Sequence, residues 1–324
     1  MLNKFFLVLT SPQLLLFPFL LTLPQTHALD SSTSTIPSDS VVSGRVSVQI
    51  SGFGDDVARS HDCQGCPSTL ISHIDESPLL TAERFCSSDP GCVDSVSKEV
   101  ADAHLVAFYQ LSTELDDHLK AEGVNMTAVE GKSHTYLDKV RLMKRLAQHE
   151  EVYTVCEVGF NAGHSALLWL ASGVRRVLSF ELGQYPYSAK AISWLSKRYS
   201  GRFQVVMGDS LESVPAFHKM WPEERCNLLF VDGGHRYQHA TGDLENFRQM
   251  RNESFHFLLV DDTNQAEVAM AWRDYKDRGL AREEEVVWSD YSEDLYFNST
   301  GSLAPHPDGI IHEWRSSISY GLYV

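Results

Sequence analysis

The chain has 324 residues, enough for one large domain or two modest ones around a sizeable hydrophobic core. Its composition, 43% hydrophobic and 22% charged, is that of an ordinary globular protein. The formal net charge is −16, and the sequence has no run of clustered lysines and arginines of the kind that binds phosphate backbones. These features argue against a nucleic-acid partner, and we expect a small or neutral substrate.

The first 28 residues have the organisation of a signal peptide. Lys4 precedes an apolar stretch, and residues 26–28 end it with a small residue suited to cleavage after Ala28. Polar residues and Pro18 interrupt the stretch and weaken the case for a membrane-spanning helix. The alternative to a cleaved signal peptide is an uncleaved anchor or a plastid-type leader. The sequence therefore predicts a secreted or ER/Golgi-lumenal protein with no membrane attachment after cleavage. Three acceptor triplets for N-glycosylation support this prediction, beginning at Asn125, Asn252 and Asn298.

Four of the six cysteines lie close together in the N-terminal part of the chain: Cys63, Cys66, Cys86 and Cys92. In an oxidising compartment they would form two disulfides, with three possible pairings. A zinc site is the alternative because of the Cys63-x-x-Cys66 spacing, but the five residues between the second pair suit zinc poorly. Cys156 and Cys226 lie in or beside apolar, strand-like runs, and we predict that they are buried thiols.

The chain divides into three predicted regions: the signal peptide at 1–28, a linker and cysteine-containing region with a helix at 29–130, and a larger domain at 131–324. In the middle region we predict a flexible linker at 30–43, a short strand at 46–50, a stapled loop at 63–92 and a helix at 93–121. The third region begins with an amphipathic helix at 133–149, after which strands and helices alternate. Five strands are predicted at 152–158, 176–180, 203–207, 226–231 and 255–260, and two closing strands at 286–288 and 317–324. This alternation predicts a doubly wound, mostly parallel, seven-stranded α/β sheet with helices on both faces.

Acidic residues follow four consecutive predicted strands, and a glycine-containing loop follows the first. The loop runs from Glu157 through Gly159, Asn161 and Gly163 to Ser165, and the strand ends that follow carry Glu181, Asp209 with Ser210, Asp232, and Asp261 with Asp262. Any one of these could simply cap a helix. Because ligands in such sheets bind beyond the carboxyl ends of the strands, the set together predicts a binding site.

In this order, the motifs resemble those of class I S-adenosylmethionine-dependent methyltransferases. The resemblance covers roughly residues 133–324 and is closest to the small-molecule O-methyltransferase-like group with Asp-Gly-x-His after strand four. It implies that Glu157, Gly159 and Gly163 line the methionine end of the cofactor, with Asn161 and Ser165 in the same loop; that Glu181 binds the ribose; and that Asp209 and Ser210 meet the adenine. Asn161 stands where the family usually has glycine, but asparagine tolerates left-handed backbone better than most residues.

The resemblance also implies a metal-assisted reaction. In the metal-dependent members, carboxylates after strands four and five bind Mg²⁺, and Asp232, Asp261 and Asp262 match those positions. Hard oxygen ligands suit such a cation, although Asp261 and Asp262 could instead cap the next helix. A related subgroup has an acid where this chain has Gly234, so we assign the catalytic base to His235; hydrogen bonding to the loop backbone is its alternative role. His164, at a helix start, is interpreted as structural.

The sequence therefore predicts a methyltransferase that acts at oxygen on a small molecule or a glycan. The alternative is a secreted or lumenal glycoprotein that keeps the fold as a non-catalytic binding module. A nicotinamide-dependent oxidoreductase is disfavoured because Gly159-x-x-x-Gly163 lacks the Gly-x-Gly-x-x-Gly spacing of dinucleotide-binding loops.

Overall fold

The computed structural model describes residues 90–292 and 311–324, one helix at 78–86, and short strands at 8–9, 43–51, 57–64, 69–73, 295–297 and 303–305. Most of the predicted signal peptide and linker lie outside the described residues, as do Cys66 and the acceptor Asn298. No helix among the described residues is both long enough and apolar enough to cross a membrane.

The N-terminal region forms a small sheet and two helices. Strands β2 (Ser43–Ser51), β3 (Val57–Gln64) and β4 (Thr69–His73) pair in the order β3-β2-β4. Helices α1 (Pro78–Cys86) and α2 (Pro90–Ala121) follow. The predicted loop at 63–92 is therefore wrong in part, because it contains β4, α1 and the first turn of α2. A disulfide between Cys86 and Cys92 joins the two helices where they meet, and buried Ala82 and Val96 pack beneath it.

The main sheet begins after α3 (Leu137–Ala147) and its strands alternate with helices. The alternating elements are β5 (Thr154–Val158), α4 (His164–Ala171), β6 (Arg176–Glu181), α5 (Pro186–Arg198), β7 (Phe203–Met207), α6 (Ser210–Met220), β8 (Leu228–Val231), α7 (Tyr237–Met250), β9 (Phe257–Val260), α8 (Ala266–Asp277), β10 (Ala281–Tyr291) and, at the C-terminus, β13 (Ile311–Tyr323). A separate hairpin pairs β11 (Leu295–Phe297) with β12 (Leu303–Pro305).

The sheet order is β7-β6-β5-β8-β9-β13-β10, extended at the β7 edge by β1 (Val8–Leu9). Strands β5 to β9 are parallel, and β13 runs antiparallel between β9 and β10. The predicted doubly wound, mostly parallel sheet is confirmed. Strand order reverses between β5 and β8, which is where a fold of this class opens a crevice for ligands.

The side chains alternate across the strands and build one core on each face of the sheet. On the first face, Val155, Phe230 and Leu259 pack against α3, α4, α5 and the second half of α2. On the opposite face, Val158 and Leu229 pack against α6, α7 and α8. Helix α2 thus shares a core with the main sheet, although it precedes residue 130, where the predicted domain boundary lies.

Cys156 and Cys226 form a disulfide, so the prediction of free buried thiols is wrong, although both residues are buried as expected. Their Cα atoms lie 5.8 Å apart, within the range that a disulfide spans. The reason is the strand order: β5 and β8 are neighbours in space, although 70 residues separate the two cysteines in sequence.

Candidate functional site

A cavity of about 1500 Å³ opens at the carboxyl ends of the central strands. Sites for one small ligand usually measure roughly 300–1000 Å³, so this cavity has room for two. Most of the predicted site residues line it, namely Gly159, Asn161, Ser165, Glu181, Asp209, Ser210, Asp232, His235, Asp261 and Asp262. These ten residues, which the sequence analysis places at the strand ends, therefore lie around one cavity.

The loop after β5 contains three left-handed residues, Gly159, Asn161 and Gly163. Gly159 has φ of 93°, and a Cβ there would lie 1.9 Å from the carbonyl oxygen of Asp232. The glycine is therefore required because the loops after β5 and β8 touch. Asn161 adopts φ of 52°, as expected for asparagine in place of glycine, and its Oδ1 accepts a hydrogen bond from the Tyr187 hydroxyl.

Glu181, at the end of β6, holds the loop in place. Its Oε2 accepts hydrogen bonds from the backbone N–H groups of Phe160 (3.1 Å) and Asn161 (2.9 Å), and its Oε1 accepts one from Gly183 (2.8 Å). The carboxylate still borders the cavity and has lone pairs left for a ligand. Glu181 can therefore order the loop and bind a diol at the same time.

Two predicted site residues, Glu157 and Gly163, are not among the residues that line the cavity. Glu157 is fully buried, and its carboxylate accepts hydrogen bonds from the indole of Trp169 (3.0 Å) and the hydroxyl of Ser179 (2.7 Å). At Gly163, φ is 85° and a Cβ would lie 2.6 Å from the Phe160 ring. Both residues therefore shape the loop from beneath, which corrects their predicted place at the methionine end of a cofactor.

The buried carboxyl of Glu157 makes stability depend on pH. Burial raises its pKa from 4.5 to about 7, against hydrogen bonds from Ser179, Ser165 and Trp169 that lower it. The native state then keeps a proton that the unfolded chain releases, so the free energy of unfolding falls between pH 4.5 and 7 by roughly 3 kcal/mol. We expect Glu157→Gln to remove this fall, as measured by urea unfolding from pH 4 to 8.

The difference between wild type and the variant isolates Glu157. Burial also raises the pKa of Asp243 to about 7, but Asp243 is present in both proteins. A difference in stability that stays constant from pH 4 to 8 would contradict a raised pKa for Glu157.

Asp243 is a residue that the sequence analysis missed. It is fully buried on α7, beneath the loop that follows β8. A Cβ at Gly233 would lie 2.6 Å from its Oδ2, which explains the glycine of the Asp-Gly-x-His motif.

Asp209 caps α6 by accepting a hydrogen bond from the N–H of Leu211, while it also borders the cavity. The helix-cap role and the site role therefore coexist.

The acid cluster after β8 and β9, formed by Asp232, Asp261 and Asp262, surrounds a lysine that the sequence analysis does not predict there. The side chain of Lys139, from α3, is only 3% exposed, and its ammonium lies 2.5 Å from Asp261 Oδ1, 2.7 Å from the Ser316 hydroxyl and 3.7 Å from Asp262 Oδ1. Burial lowers the pKa of Lys139, but the attraction of Asp261 and Asp262 outweighs it and raises the pKa above its ordinary value. The prediction that Asp261 is a metal ligand therefore needs correction, because a charged ammonium already binds its carboxylate.

Asp232 and Asp262 lie together with the predicted base, His235, on the side of the cluster that faces the cavity. His235 Nε2 lies 3.1 Å from Asp262 Oδ2, and one donor atom from each of Asp232, His235 and Asp262 lies within 4.8 Å of the others. Burial, and then the neighbouring Asp261 and Asp262, raise the pKa of Asp232 well above its usual range. Asp262 adopts φ of 53°, a left-handed conformation that is rare outside glycine and concentrates at functional sites.

Comparison with known proteins finds a family model that the central segment matches. Residues 156–275 match the family model described as a methyltransferase domain. No curated protein matches the sequence. One solved structure with a similar fold is the O-methyltransferase from Bacillus cereus in complex with SAH, which is 15% identical; the match covers 65% of this chain and 89% of that chain, with a TM-score of 0.45. Another is the O-methyltransferase TomG from Streptomyces achromogenes, involved in tomaymycin synthesis, in complex with SAM. It is 14% identical, and the match covers 70% of this chain and 98% of that chain, with a TM-score of 0.44.

Proposed function

We propose that the protein transfers the methyl group of S-adenosylmethionine to a hydroxyl oxygen, because residues 156–275 match the model of a methyltransferase domain and the strand-end motifs predict the same activity. The acceptor that we propose is a small molecule or a glycan. The observation that carries the proposal is the continuous cavity, which joins the loop after β5 and Glu181 at one end to the Asp232, His235 and Asp262 group at the other.

The cofactor half of the cavity offers each kind of group that the proposal needs. Glu181 accepts the ribose hydroxyl protons, while Asp209 and Ser210 provide polar atoms for the adenine edge. The backbone of Gly159 and Asn161 lines the end where the methionine part would bind. The resemblance in the sequence supports these placements, and the position of the five residues around one cavity supports them further.

The other half provides the acceptor site. Tyr109 from α2, Tyr136 and Tyr291 line it, giving aromatic walls with polar tips that suit a hydroxylated acceptor. Methyl transfer itself needs mainly in-line alignment of the two reactants and exclusion of water. Bound S-adenosylmethionine would supply a methyl group on a sulfonium, and the electrons of the broken C–S bond would stay on sulfur as the acceptor oxygen bonds to the methyl carbon.

In this proposal His235 removes the acceptor proton. Its Nε2 is held by Asp262 Oδ2 at 3.1 Å, which leaves the other ring nitrogen for the acceptor hydroxyl. Asp232, Asp262 and His235 also fit a divalent cation in number and donor type, and such an ion would lower the pKa of the acceptor hydroxyl when bound. Activity that survives a chelator would favour the His235 mechanism over the metal-assisted one.

We propose that the protein acts in the secretory pathway or outside the cell. The predicted leader supports this, and so do two disulfides among the described residues, since stable disulfides form in oxidising compartments. Asn125 is exposed, and its Oδ1 accepts hydrogen bonds from the N–H and the hydroxyl of Thr127, so the acceptor triplet is accessible. No nucleic acid is expected as a partner, given the net charge of −16.

Calorimetric titration of the purified mature chain with S-adenosylmethionine, with and without Mg²⁺, tests the proposal. We expect heat of binding in both titrations. The second candidate is a non-catalytic glycoprotein with this fold, which the absence of binding in either condition would favour. The position of Asp232 at the cavity wall favours the enzyme, because a ligand in the cavity can reach its carboxyl group.

Replacement of Glu181 should weaken cofactor binding. Hydrogen bonds to a charged group contribute roughly 1.5–3 kcal/mol, so we expect Glu181→Gln to raise the dissociation constant for S-adenosylmethionine about 10- to 100-fold, as measured by calorimetry. Glu223→Gln, an exposed residue that does not line the cavity, is the matched control and should leave the affinity unchanged. Equal affinities for the two variants would show that the ribose is bound elsewhere.

A further inference from the structure

A second group of potential metal ligands lies apart from the acid cluster. Asp116 comes from α2, His134 from the segment between α2 and α3, and His164 is the first residue of α4. One ring nitrogen of each histidine and a carboxylate oxygen of Asp116 all lie within 4.8 Å of one another. Three separate segments thus converge beside the loop that follows β5.

Each imidazole has a solvent-shielded nitrogen that the described residues leave unused, although His164 is buried and His134 is half-buried. The His164 side chain is fully buried, and its Nε2 lies 3.0 Å from Asp116 Oδ1, while its Nδ1 has no partner among the described residues. The His134 ring lies against that of His164, with centroids 4.3 Å apart, and its Nδ1 is closed off from solvent and equally without a partner in the described part of the chain. A buried nitrogen without a partner is unfavourable.

A purely structural role explains only part of this arrangement. The Asp116–His164 hydrogen bond would fix α2 against α4, in the way that sequence analysis interprets His164. It leaves no reason for a second imidazole to lie on the first with a buried, unpaired nitrogen. A cation shared by the three side chains accounts for their convergence at one point.

We propose that Asp116, His134 and His164 bind a transition-metal ion of the Zn²⁺ class. Two imidazoles and one carboxylate suit Zn²⁺ or Co²⁺, whereas Mg²⁺ prefers oxygen ligands. Asp116 and His134 line the cavity, so a further coordination position faces it. The ion joins α2 and the segment before α3 to the start of α4, directly after Gly163, and so ties the N-terminal helix to the loop after β5.

Cobalt binding tests the site without relying on methyl transfer. The mature chain carrying Asp232→Asn, which removes a donor from the other candidate group, is stripped with a chelator, dialysed against Co²⁺ and analysed by elemental analysis and visible absorption. We expect one Co²⁺ per chain with d–d bands. Adding His164→Gln or Asp116→Asn should lower the affinity at least tenfold, and adding His218→Gln should not. His218 is the matched control because it also has an unpartnered Nδ1 but belongs to neither group.

Two results would overturn the proposal. If the Asp232→Asn protein binds no Co²⁺, the three residues are a hydrogen-bonded cluster only. If Co²⁺ binds but neither His164→Gln nor Asp116→Asn weakens it, the ion lies elsewhere. Because His164 is buried and its replacement could impair folding, far-UV circular dichroism accompanies each titration. The isosteric Asp116→Asn carries the test if His164→Gln unfolds.

Discussion

Replacing Lys139 by methionine should destabilise the protein by about 3–5 kcal/mol, because it leaves the largely buried carboxylates of Asp261 and Asp262 without their counter-charge. Methionine keeps most of the volume of the lysine stem, so the effect reports the charge rather than a cavity. The ammonium bonds to Asp261 at 2.5 Å and to the Ser316 hydroxyl at 2.7 Å, and both contacts are lost. Urea unfolding of the purified variant at pH 7 measures the change.

A second substitution separates charge from packing. If the cost comes from an unpaired carboxylate, Lys139→Met with Asp261→Asn should regain much of the lost stability, because the amide is neutral. Lys120→Met is the control for a lysine–aspartate pair: Lys120 and Asp117 lie 2.9 Å apart but are more than half exposed, and we expect no measurable loss. Equal destabilisation of the single and the double variant would mean that Lys139 acts through its alkyl chain alone.

Lys139 also bears on how the acid cluster can react. Its single positive charge lies among Asp232, Asp261 and Asp262, and it contacts the last two, so Asp232 is the carboxylate left free to meet a ligand, a cation or a proton. In the proposed mechanism this restricts any metal to the side that faces His235. Lys139 is a positioning residue here, since it fixes the carboxylates that orient the base.

The strand-end residues could be predicted from the sequence because their placement depends only on topology. Parallel strands end at one edge of a sheet, so Glu181, Asp209, Asp232 and Asp262 had to meet there once the strand–helix alternation was recognised. The sequence analysis places Glu157 at the cofactor, although the alternation of side chains along β5 indicates that it is buried. It shares a face with Val155, two residues earlier on β5, and that face lies under α4, where Trp169 binds the carboxylate.

Residues whose roles depend on distant partners could not be predicted in this way. Lys139 lies on an amphipathic helix, where a lysine normally faces solvent. It is buried because α3 packs beside β10, and β13, the strand paired with β10, brings Ser316 to it from 177 residues away. Asp243 likewise reads as an ordinary polar residue of α7, and only its position beneath Gly233 gives it a role. Such contacts follow from the packing of segments, which local patterns do not contain.

Removing the disulfide between Cys156 and Cys226 should cost about 4 kcal/mol. The bond closes a loop of 70 residues, and the loss of chain entropy that it imposes on the unfolded state grows with loop length. We expect Cys156→Ala with Cys226→Ala to lower the free energy of unfolding by that amount in urea without reductant. Cys86→Ala with Cys92→Ala is the matched control. This disulfide closes a loop of only 6 residues, and the same dependence on loop length gives a loss of about 2 kcal/mol in the free energy of unfolding.

The state of these two cysteines also tests the proposed compartment. Both are buried at the centre of the sheet, so the bond must form before or during folding, in an environment that oxidises thiols. Protein secreted from eukaryotic cells, denatured without reductant and treated with an alkylating reagent, should therefore carry no label on Cys156 or Cys226. Labelling of both residues would mean that they are the free thiols that the sequence predicts. The secretory proposal would then rest on the leader, Asn125 and the Cys86–Cys92 bond alone.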